Sequence, residues 1–288
     1  MCPSPISTIA IRLMKEDDFL DAEQLLLAGY GGSPGRVAEL ERLLTIQPDG
    51  WFFACIGDQP VGMGGAVLYD RFAYIGMMVV LPAWQRQGIG RKIFEHILDW
   101  IERNKIPLAL LDATEAGAAL YRQYGFNEVD QACQYICVQS PTVSHPSPLV
   151  NLATMQDIPE LAEFDRPLFG ANRMRVFQTY LKDYPERFFI KRDEQGRIRG
   201  YLLAQSSRLG AWAALTSDDA FDLVEAALSL PFEGELNVIA PAANPSVAQL
   251  LAQLGFRFER ALPHMASKNE YINRHRDLIY GQISFAIG

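Results

Sequence analysis

The same order of helices and strands is predicted twice in this sequence, on the two sides of a segment rich in proline and serine. That segment, SPTVSHPSP at residues 140–148, has no apolar periodicity and is typical of a stiff linker. On each side, two helices precede apolar, strand-like runs, and two further helices alternate with the last strands. The repeat therefore predicts two domains of similar fold, residues 1–140 and 149–288, joined by a linker at 141–148.

Matching signals at the ends of the two halves support a duplication. The first half contains LYRQYGF and the second contains LLAQLGF at the corresponding place. In both, a helix stops at a glycine, which adopts left-handed backbone at little cost, and the chain re-enters a strand through a phenylalanine. A length of 288 residues also fits two domains better than one.

Composition excludes several classes of protein. The formal net charge of −8 argues against a generic nucleic-acid or anionic-membrane binder, since both need a positive surface. No apolar run reaches the roughly 18 residues of a membrane span, and the N-terminus lacks a secretory pattern, so we expect a cytoplasmic protein. Cys133 and Cys137 share one face of a predicted strand, and we expect packed thiols there and no metal site.

The stretch VVLPAWQRQGIGRKIFEHILDWIE, residues 79–102, carries the most informative local pattern. Pro82 ends a strand, and Gly88 and Gly90 remove side chains where the chain turns into an amphipathic helix. Backbone amides at such a helix N-terminus form an anion site. The side chains that supply further donors around it are Gln85, Arg86, Gln87 and Arg91. A purely structural turn with a solvated basic rim is the alternative.

The turn is similar to the cofactor turn of the GCN5-related N-acetyltransferase (GNAT) superfamily. It has no Gly-Lys-Ser/Thr for a nucleoside triphosphate, and Ile93 stands where a dinucleotide loop has its third glycine. QRQGIG fits the Gln/Arg-x-x-Gly-x-Gly/Ala pattern of the superfamily, and the strand IGMMVV and the segment LDATEAGAALYRQYGF match it as well. The resemblance is close over residues 8–140 and holds in outline over 149–262. FDRPLFGANR resembles the opening signature of a two-domain subgroup whose C-terminal half is degenerate.

The resemblance implies an α/β (α+β) fold made of two tandem GNAT domains. Each would have a mixed, mostly antiparallel central sheet flanked by helices, splayed between strands 4 and 5 in the N-terminal copy. It also implies acetyl-CoA as co-substrate, with its pyrophosphate on the amides of the turn and its pantetheine arm paired along the fourth strand. The implied cofactor-binding residues are Met78, Val79, Val80, Gln85, Arg86, Gln87, Gly88, Ile89, Gly90, Arg91 and Thr114.

The resemblance further implies Tyr121 as the catalytic acid. It aligns with the superfamily tyrosine that protonates the departing thiolate, and a phenol can donate to such a group. Two departures stand nearby, because the superfamily often has Asn at Thr114 and Ala at Gly117. No general base declares itself, and the carboxylates that stay open for this role are Asp70, Asp112 and Glu115.

The second half lacks the features that would hold a cofactor. Its equivalent turn, ALTSDDAFDLVEAAL, places Asp218 and Asp219 where phosphates would lie, and Leu251 replaces the tyrosine, although Asn244 is retained. We therefore expect a structural partner that walls one side of the substrate cleft. The candidate substrate residues are Tyr30, Asp112, Asp165 and Arg173, with a salt-bridged capping role as the alternative for the last two.

These patterns predict an acetyl-CoA-dependent N-acetyltransferase that acts on a primary amine of a small molecule by direct transfer in a ternary complex. The alternative from another class is a non-catalytic acyl-CoA-binding sensor or binding module. A pure scaffold is a third possibility. We expect no metal, no nucleic acid and no membrane as partners, while the identity of the amine and the oligomeric state are not encoded in any pattern found.

Overall fold

The computed structural model describes residues 9–32, 34–138, 147–267 and 273–288. Contacts divide the chain into two compact units. The first contains Met1–Leu68, Phe72–Leu110 and Ile287, and the second contains Tyr69–Arg71, Leu111–Ala286 and Gly288. Within the described ranges, every helix is too short or too polar to span a lipid bilayer.

The first unit is built on an antiparallel sheet in the order β1-β2-β3-β4. Its elements are β1 (Ile9–Leu13), α1 (Phe19–Tyr30), α2 (Val37–Ile46), β2 (Trp51–Ile56), β3 (Gln59–Leu68), β4 (Ala73–Val80), α3 (Ile89–Arg103) and the start of β5 (Ala109–Asp112). α3 buries Ile93, Phe94 and Ile97 completely, which is the helical spacing that places one apolar face against the sheet. The amphipathic pattern after the glycine turn therefore fixes where α3 lies.

The second unit contains a larger mixed sheet in the order β12-β6-β11-β10-β9-β8-β7, with β13 paired to β10. Its elements after β5 are α4 (Glu115–Arg122), β6 (Asn127–Cys137), β7 (Val150–Leu152), α5 (Ile158–Phe169), α6 (Met174–Asp183), β8 (Phe188–Arg192), β9 (Ile198–Ala204), β10 (Arg208–Ala214), α7 (Ser217–Leu228), β11 (Asn237–Pro241), α8 (Val247–Gln253), β12 (Phe256–Ala266) and β13 (Ile279–Gly281). α7 and α8 pack on one core with Trp212 and Phe256 from the sheet.

The element order confirms the duplication. The series from β1 to β6 and the series from β7 to β12 contain the same helices and strands in the same order, so β10 corresponds to β4, α7 to α3 and α8 to α4. The predicted mixed, mostly antiparallel fold is confirmed with it. β13 follows the second series and has no counterpart in the first among the described residues. The sequence patterns did not predict this three-residue strand.

β6 explains why the compact units do not follow the predicted linker. It pairs antiparallel with β12 on one edge and with β11 on the other, so that Tyr135 lies opposite both Phe258 and Val238. The segment from Leu111 through β6 therefore packs within the second unit, and the units divide at Leu110. The predicted domain boundary at 141–148 differs from this division. Residues 141–146 of that linker lie outside the described residues.

Candidate functional site

The glycine turn bends sharply onto the N-terminus of α3. A short 3-10 helix over Pro82–Trp84 follows β4, and the chain then passes through positive φ angles at Arg86 (62°) and Gly88 (81°). Gly88 is the residue before α3, and a Cβ built on it would meet nothing within 4 Å. Its left-handed backbone, which is costly for a residue with a side chain, is thus the feature that requires glycine here.

The backbone amides of this turn are available to a ligand. The first helical hydrogen bond runs from the amide of Lys92 to the carbonyl of Gly88 at 3.0 Å. Among the hydrogen bonds of the described residues, none is donated by the amides of Gln87, Gly88, Ile89 or Gly90. These donors and the positive end of the α3 dipole fit a diphosphate, and Arg86 and Arg91 are exposed beside them.

The glutamine side chains of the turn brace it from within. Gln85 Nε2 donates to the carbonyl of Val80 at 3.0 Å, and Gln87 Nε2 donates to the carbonyl of Ala83 at 3.3 Å. The sequence pattern treats both side chains as donors for an anion, whereas here one N–H of each holds the local backbone. The main-chain amides, with the exposed Arg86 and Arg91 beside them, are therefore the groups placed to contact a ligand at the turn.

β4 carries a bulge and an edge that faces away from β3. The register shifts between Met63 and Gly65 of β3, opposite Met77, whose φ is 56°. Beyond the bulge, Val79 lies opposite Met63, and the amide of Leu81 donates to the carbonyl of Val61 on β3. Because backbone groups alternate along a strand, the groups of Val80 point to the opposite edge. A ligand with amide groups can pair along that edge.

Tyr30 lies against the same stretch of β4. Its hydroxyl donates to the carbonyl of Met78 at 2.7 Å. A Cβ on Gly29 would lie 2.0 Å from Val79 Cγ2, so the glycine lets the end of α1 approach the strand this closely. Although 45% of Tyr30 is exposed, its hydroxyl is held against the strand, and this burial raises its pKa to about 12. Tyr30 is thus a neutral donor at physiological pH.

Tyr121 and Thr114 belong to the second compact unit. The side chain of Tyr121 on α4 is buried, and its ring lies over Gly117, where a Cβ would be 2.9 Å from Cε2 and 3.2 Å from the hydroxyl oxygen. The glycine that departs from the superfamily pattern therefore makes room for this ring. Thr114 is the N-cap of α4, and its Oγ1 accepts the amide of Gly117 at 3.2 Å. The Thr114 hydroxyl can still donate its hydrogen to a ligand. Binding of the cofactor by Thr114 remains a prediction.

Asp112 is the centre of a buried polar network. His264 Nδ1 lies 2.7 Å from Asp112 Oδ1, Gln282 Nε2 donates to Asp112 Oδ2 at 2.9 Å, and Arg274 Nη2 lies 2.7 Å from His264 Nε2. The arginine can only donate, so Nε2 accepts and Nδ1 carries the proton. Burial, aided by the nearby charge of Arg276, lowers the pKa of His264 to about 4 and keeps it neutral. No sequence pattern pointed to His264.

Asp165 and Arg173 form a buried ion pair. Arg173 Nη2 and Asp165 Oδ1 are 2.7 Å apart, with 2% and 0% of their side chains exposed. Tyr201 donates its hydroxyl to Asp165, and the ring of Phe169 lies 4.0 Å from the guanidinium. The prediction that they contact substrate does not fit this burial within the second unit, and the salt-bridged alternative does. The physical reason is that buried charges need partners.

The three carboxylates that are candidates for the general base differ in their contacts. Asp70 accepts from Arg166 Nη2 at 2.9 Å and from the amide of Asn172 at 2.8 Å, which fits a structural role within the second unit. Glu115 lies in the first turn of α4, where a carboxylate favours the helix dipole. Asp112 is the one of the three that contacts a histidine.

Comparisons with known proteins agree with this architecture. Two profiles, each described as an acetyltransferase (GNAT) domain, match residues 47–128 and 161–281. An uncharacterized N-acetyltransferase, YitH of Bacillus subtilis, is 26% identical over 92% of this chain and 94% of its own length. The [ribosomal protein bS18]-alanine N-acetyltransferase of Escherichia coli is 39% identical over 54 residues, 18% of this chain and 36% of that protein.

Solved structures show the same fold over 92% to 100% of the chain. A crystal structure of a protein from Pyrococcus horikoshii has a TM-score of 0.88 at 25% identity and covers 100% of this chain and 99% of that one. A tandem GNAT protein from the clavulanic acid biosynthesis pathway has a TM-score of 0.65 at 14% identity, covering 92% and 100%. The chain belongs to the GNAT superfamily, with two GNAT domains in tandem. It is an acyltransferase, of a family whose co-substrate is an acyl-CoA.

Proposed function

We propose that the protein transfers an acetyl group from acetyl-CoA to a primary amine of a small molecule. The observation that carries this proposal is the turn at Gly88, where main-chain amides without partners among the described residues meet the N-terminus of α3. An anion with several oxygens, such as a diphosphate, satisfies those donors. The outward edge of β4 begins directly before the same turn.

Residues of the first unit would hold the co-substrate at two places. The amides of Gln87 to Gly90, with Arg86 and Arg91, would bind its diphosphate. The edge of β4 around Met78 and Val80 would pair with the amides of its pantetheine arm, and a backbone N–H there would polarise the acyl carbonyl. The bound thioester supplies the activated acetyl group.

The chain must also manage two protons. An alkylamine with a pKa near 10 is protonated at pH 7, so it must lose a proton before it attacks. We propose Tyr121 as the group that donates a proton to the departing thiolate. For the first proton, Asp70, Asp112 and Glu115 stay open as the base, and in Asp112, whose side chain is fully buried, both oxygens are held by the neutral His264 and by Gln282.

The acceptor amine is proposed to be small and positively charged. The formal net charge of −8 favours the approach of a cationic amine over an anionic one. Relatives act on different acceptors by name, since one is a ribosomal-protein alanine N-acetyltransferase and another a holothin acyltransferase from Pseudoalteromonas, 21% identical over 76% of this chain. An acceptor that is a folded protein is the outcome that would correct the size class.

The test combines binding with turnover. Calorimetric titration with acetyl-CoA should give one equivalent per chain, and release of free CoA thiol should rise with at least one amine in a library of amino acids, polyamines, aminoglycosides and peptides. Binding without thiol release on any amine would favour the non-catalytic acyl-CoA-binding module instead. Absence of any binding by the wild-type chain would overturn the proposal.

A further inference from the structure

We propose that the C-terminal segment Ile279–Gln282 fills, in the second copy, the slot that the pantetheine arm takes in the first copy. The second copy is then closed to acyl-CoA by a strand of the same chain. The inference rests on the proposed function for the meaning of the slot, but its evidence comes from contacts inside the second unit. The chain would bind one acyl-CoA, although it contains two domains of the same fold.

The slot lies between β10 and β11, the counterparts of β4 and β5. These two strands pair in parallel at Arg208 and Leu209 only. Farther along β10, Trp212 and Ala213 pair with β13 instead. The residue after β13 reaches β11, because the amide of Gln282 donates to the carbonyl of Ile239 at 2.6 Å. The segment Ile279–Gln282 therefore bonds to both strands in the wedge between them.

β10 has the same irregularity as β4. Its register against β9 shifts between Leu209 and Trp212, as that of β4 against β3 shifts at Met77. Both strands therefore present an outward edge just beyond a bulge. In β4 the edge carbonyls of Met78 and Val80 accept from the side chains of Tyr30 and Gln85. In β10 the corresponding stretch pairs with backbone, the same kind of group that a pantetheine arm would offer.

The segment Ile279–Gln282 also contacts residues at the N-termini of α7 and α8. The hydroxyl of Tyr280 lies 3.3 Å from Ser217 Oγ, in the first turn of α7. Asn244, just before α8, donates its Nδ2 to the carbonyl of Ile279 at 3.0 Å. The side chains at the two positions where a cofactor would be held in this copy thus hold β13. Two carboxylates in the first turn of α7, Asp218 and Asp219, disfavour a diphosphate there.

The segment Ile279–Gln282 is buried and closely packed against β10. Tyr280 is 2% exposed and its ring packs at 5.3 Å from that of Trp212. A Cβ on Gly281 would lie 2.7 Å from the carbonyl oxygen of Leu209, and one on Gly210 would lie 2.0 Å from that of Gln282. Glycine at both positions lets the two backbones meet. A strand packed this closely leaves no room for a second chain of amides in the slot.

Amide hydrogen exchange on the full wild-type chain tests the proposal. We expect residues 212–214 and 279–282 to exchange slowly, at one rate with and without saturating acetyl-CoA. Residues 87–91 should slow at least about tenfold when acetyl-CoA binds. Rapid exchange of 279–282, further slowing of it by acetyl-CoA, or two equivalents bound in calorimetry would overturn the inference. Unchanged exchange at 87–91 would instead count against the proposed function.

Substitutions in β13 give a second readout. Gly281→Val should speed exchange at 212–214 and 239 at least about tenfold, because its side chain meets the β10 backbone, and should leave acetyl-CoA affinity within about twofold. Asp277→Ala, on an exposed side chain next to β13, is the matched control and should change neither. Unaltered exchange in Gly281→Val would contradict the inference. If that variant does not fold, the wild-type exchange pattern still decides.

Discussion

The N-termini of α3 and α7 occupy the same place in the two copies and have opposite chemistry. Before α3, Gly88 leaves backbone amides uncovered. Before α7, the hydroxyl of Thr216 accepts the amide of Asp219, whose carboxylate is 2.9 Å from both Lys191 and Arg199. One helix end is thus open to an anion, and the other is satisfied by its own side chains. Duplication preserved the backbone, while a few residues at one helix end decide whether a ligand can bind.

Transferring an acid from α7 to α3 should have the largest effect. Gly90 is the second residue of α3, as Asp218 is of α7. Gly90→Asp should weaken acetyl-CoA binding more than about 100-fold, since like charges at close range cost several kcal/mol. Gly90→Ala is the matched control, because its Cβ would lie 3.7 Å from Val80 and adds no charge. Calorimetry of both variants measures this difference. Equal acetyl-CoA affinities in the two variants would contradict an anion site at the N-terminus of α3.

Breaking the buried ion pair should affect the second copy alone. Asp165→Asn should lower the free energy of unfolding by about 3 kcal/mol, because Arg173 is left without its counter-charge. Urea denaturation measures the loss. The double variant Asp165→Leu with Arg173→Met should be less destabilised than the single one. Acetyl-CoA affinity should stay the same in both variants as in the wild type, and a specific loss of amine binding without loss of stability would restore a substrate role.

Tyr121 tests the catalytic difference between the copies, because Leu251 stands at its position in the second. Tyr121→Phe should lower turnover about 100-fold with little change in acetyl-CoA affinity, as expected for loss of a general acid. Tyr124→Phe, on the same segment, is the matched control. Steady-state rates of thiol release would show the difference. Equal rates in both variants would leave Tyr121 with a packing role only.

The pH dependence of stability should report His264. Its pKa is about 4 in the folded protein against 6.5 for an unperturbed histidine, so the unfolded state binds a proton first as the pH falls. The stability held by the neutral imidazole is complete above about pH 6.5 and is lost toward pH 4, with a slope of at most about 1.4 kcal/mol per pH unit. Melting temperatures of the wild type and of His264→Gln should differ in slope across that window. Parallel curves would contradict the assignment.

The smallest expected effect compares the two threonine caps. Thr114→Ala and Thr216→Ala each remove a side-chain acceptor from a helix amide and should cost about 1 kcal/mol of stability. Denaturation of the two variants measures this. If Thr114 also contacts the cofactor, only Thr114→Ala should raise KM for acetyl-CoA as well. Unchanged KM in both would limit Thr114 to capping.

The parts of the structure that could be predicted from the sequence are those encoded by patterns among neighbouring residues. A proline that ends a strand, two glycines and an amphipathic helix act over a few neighbouring residues, so the turn at Gly88 and the duplicated element order were readable. The pairing of Asp112 with His264 joins residues 152 positions apart, and neither has a telling local pattern. β13 is too short for a periodic signal. Asp165 and Arg173 have residue types that fit a binding site or a buried pair, and only their burial separates the two.

The position of β6 bears on how the chain acquires its structure during synthesis. β6 is complete at Cys137, yet both strands that border it, β11 and β12, begin only at Asn237 and Phe256. A ribosome must therefore add about a hundred residues while this strand has neither neighbour. Contacts between residues so far apart in sequence form slowly. Until they form, β6 has two unpaired edges, which can pair with other chains and lead to aggregation. The last strand of the first copy therefore completes its pairing only after the second copy has been synthesised.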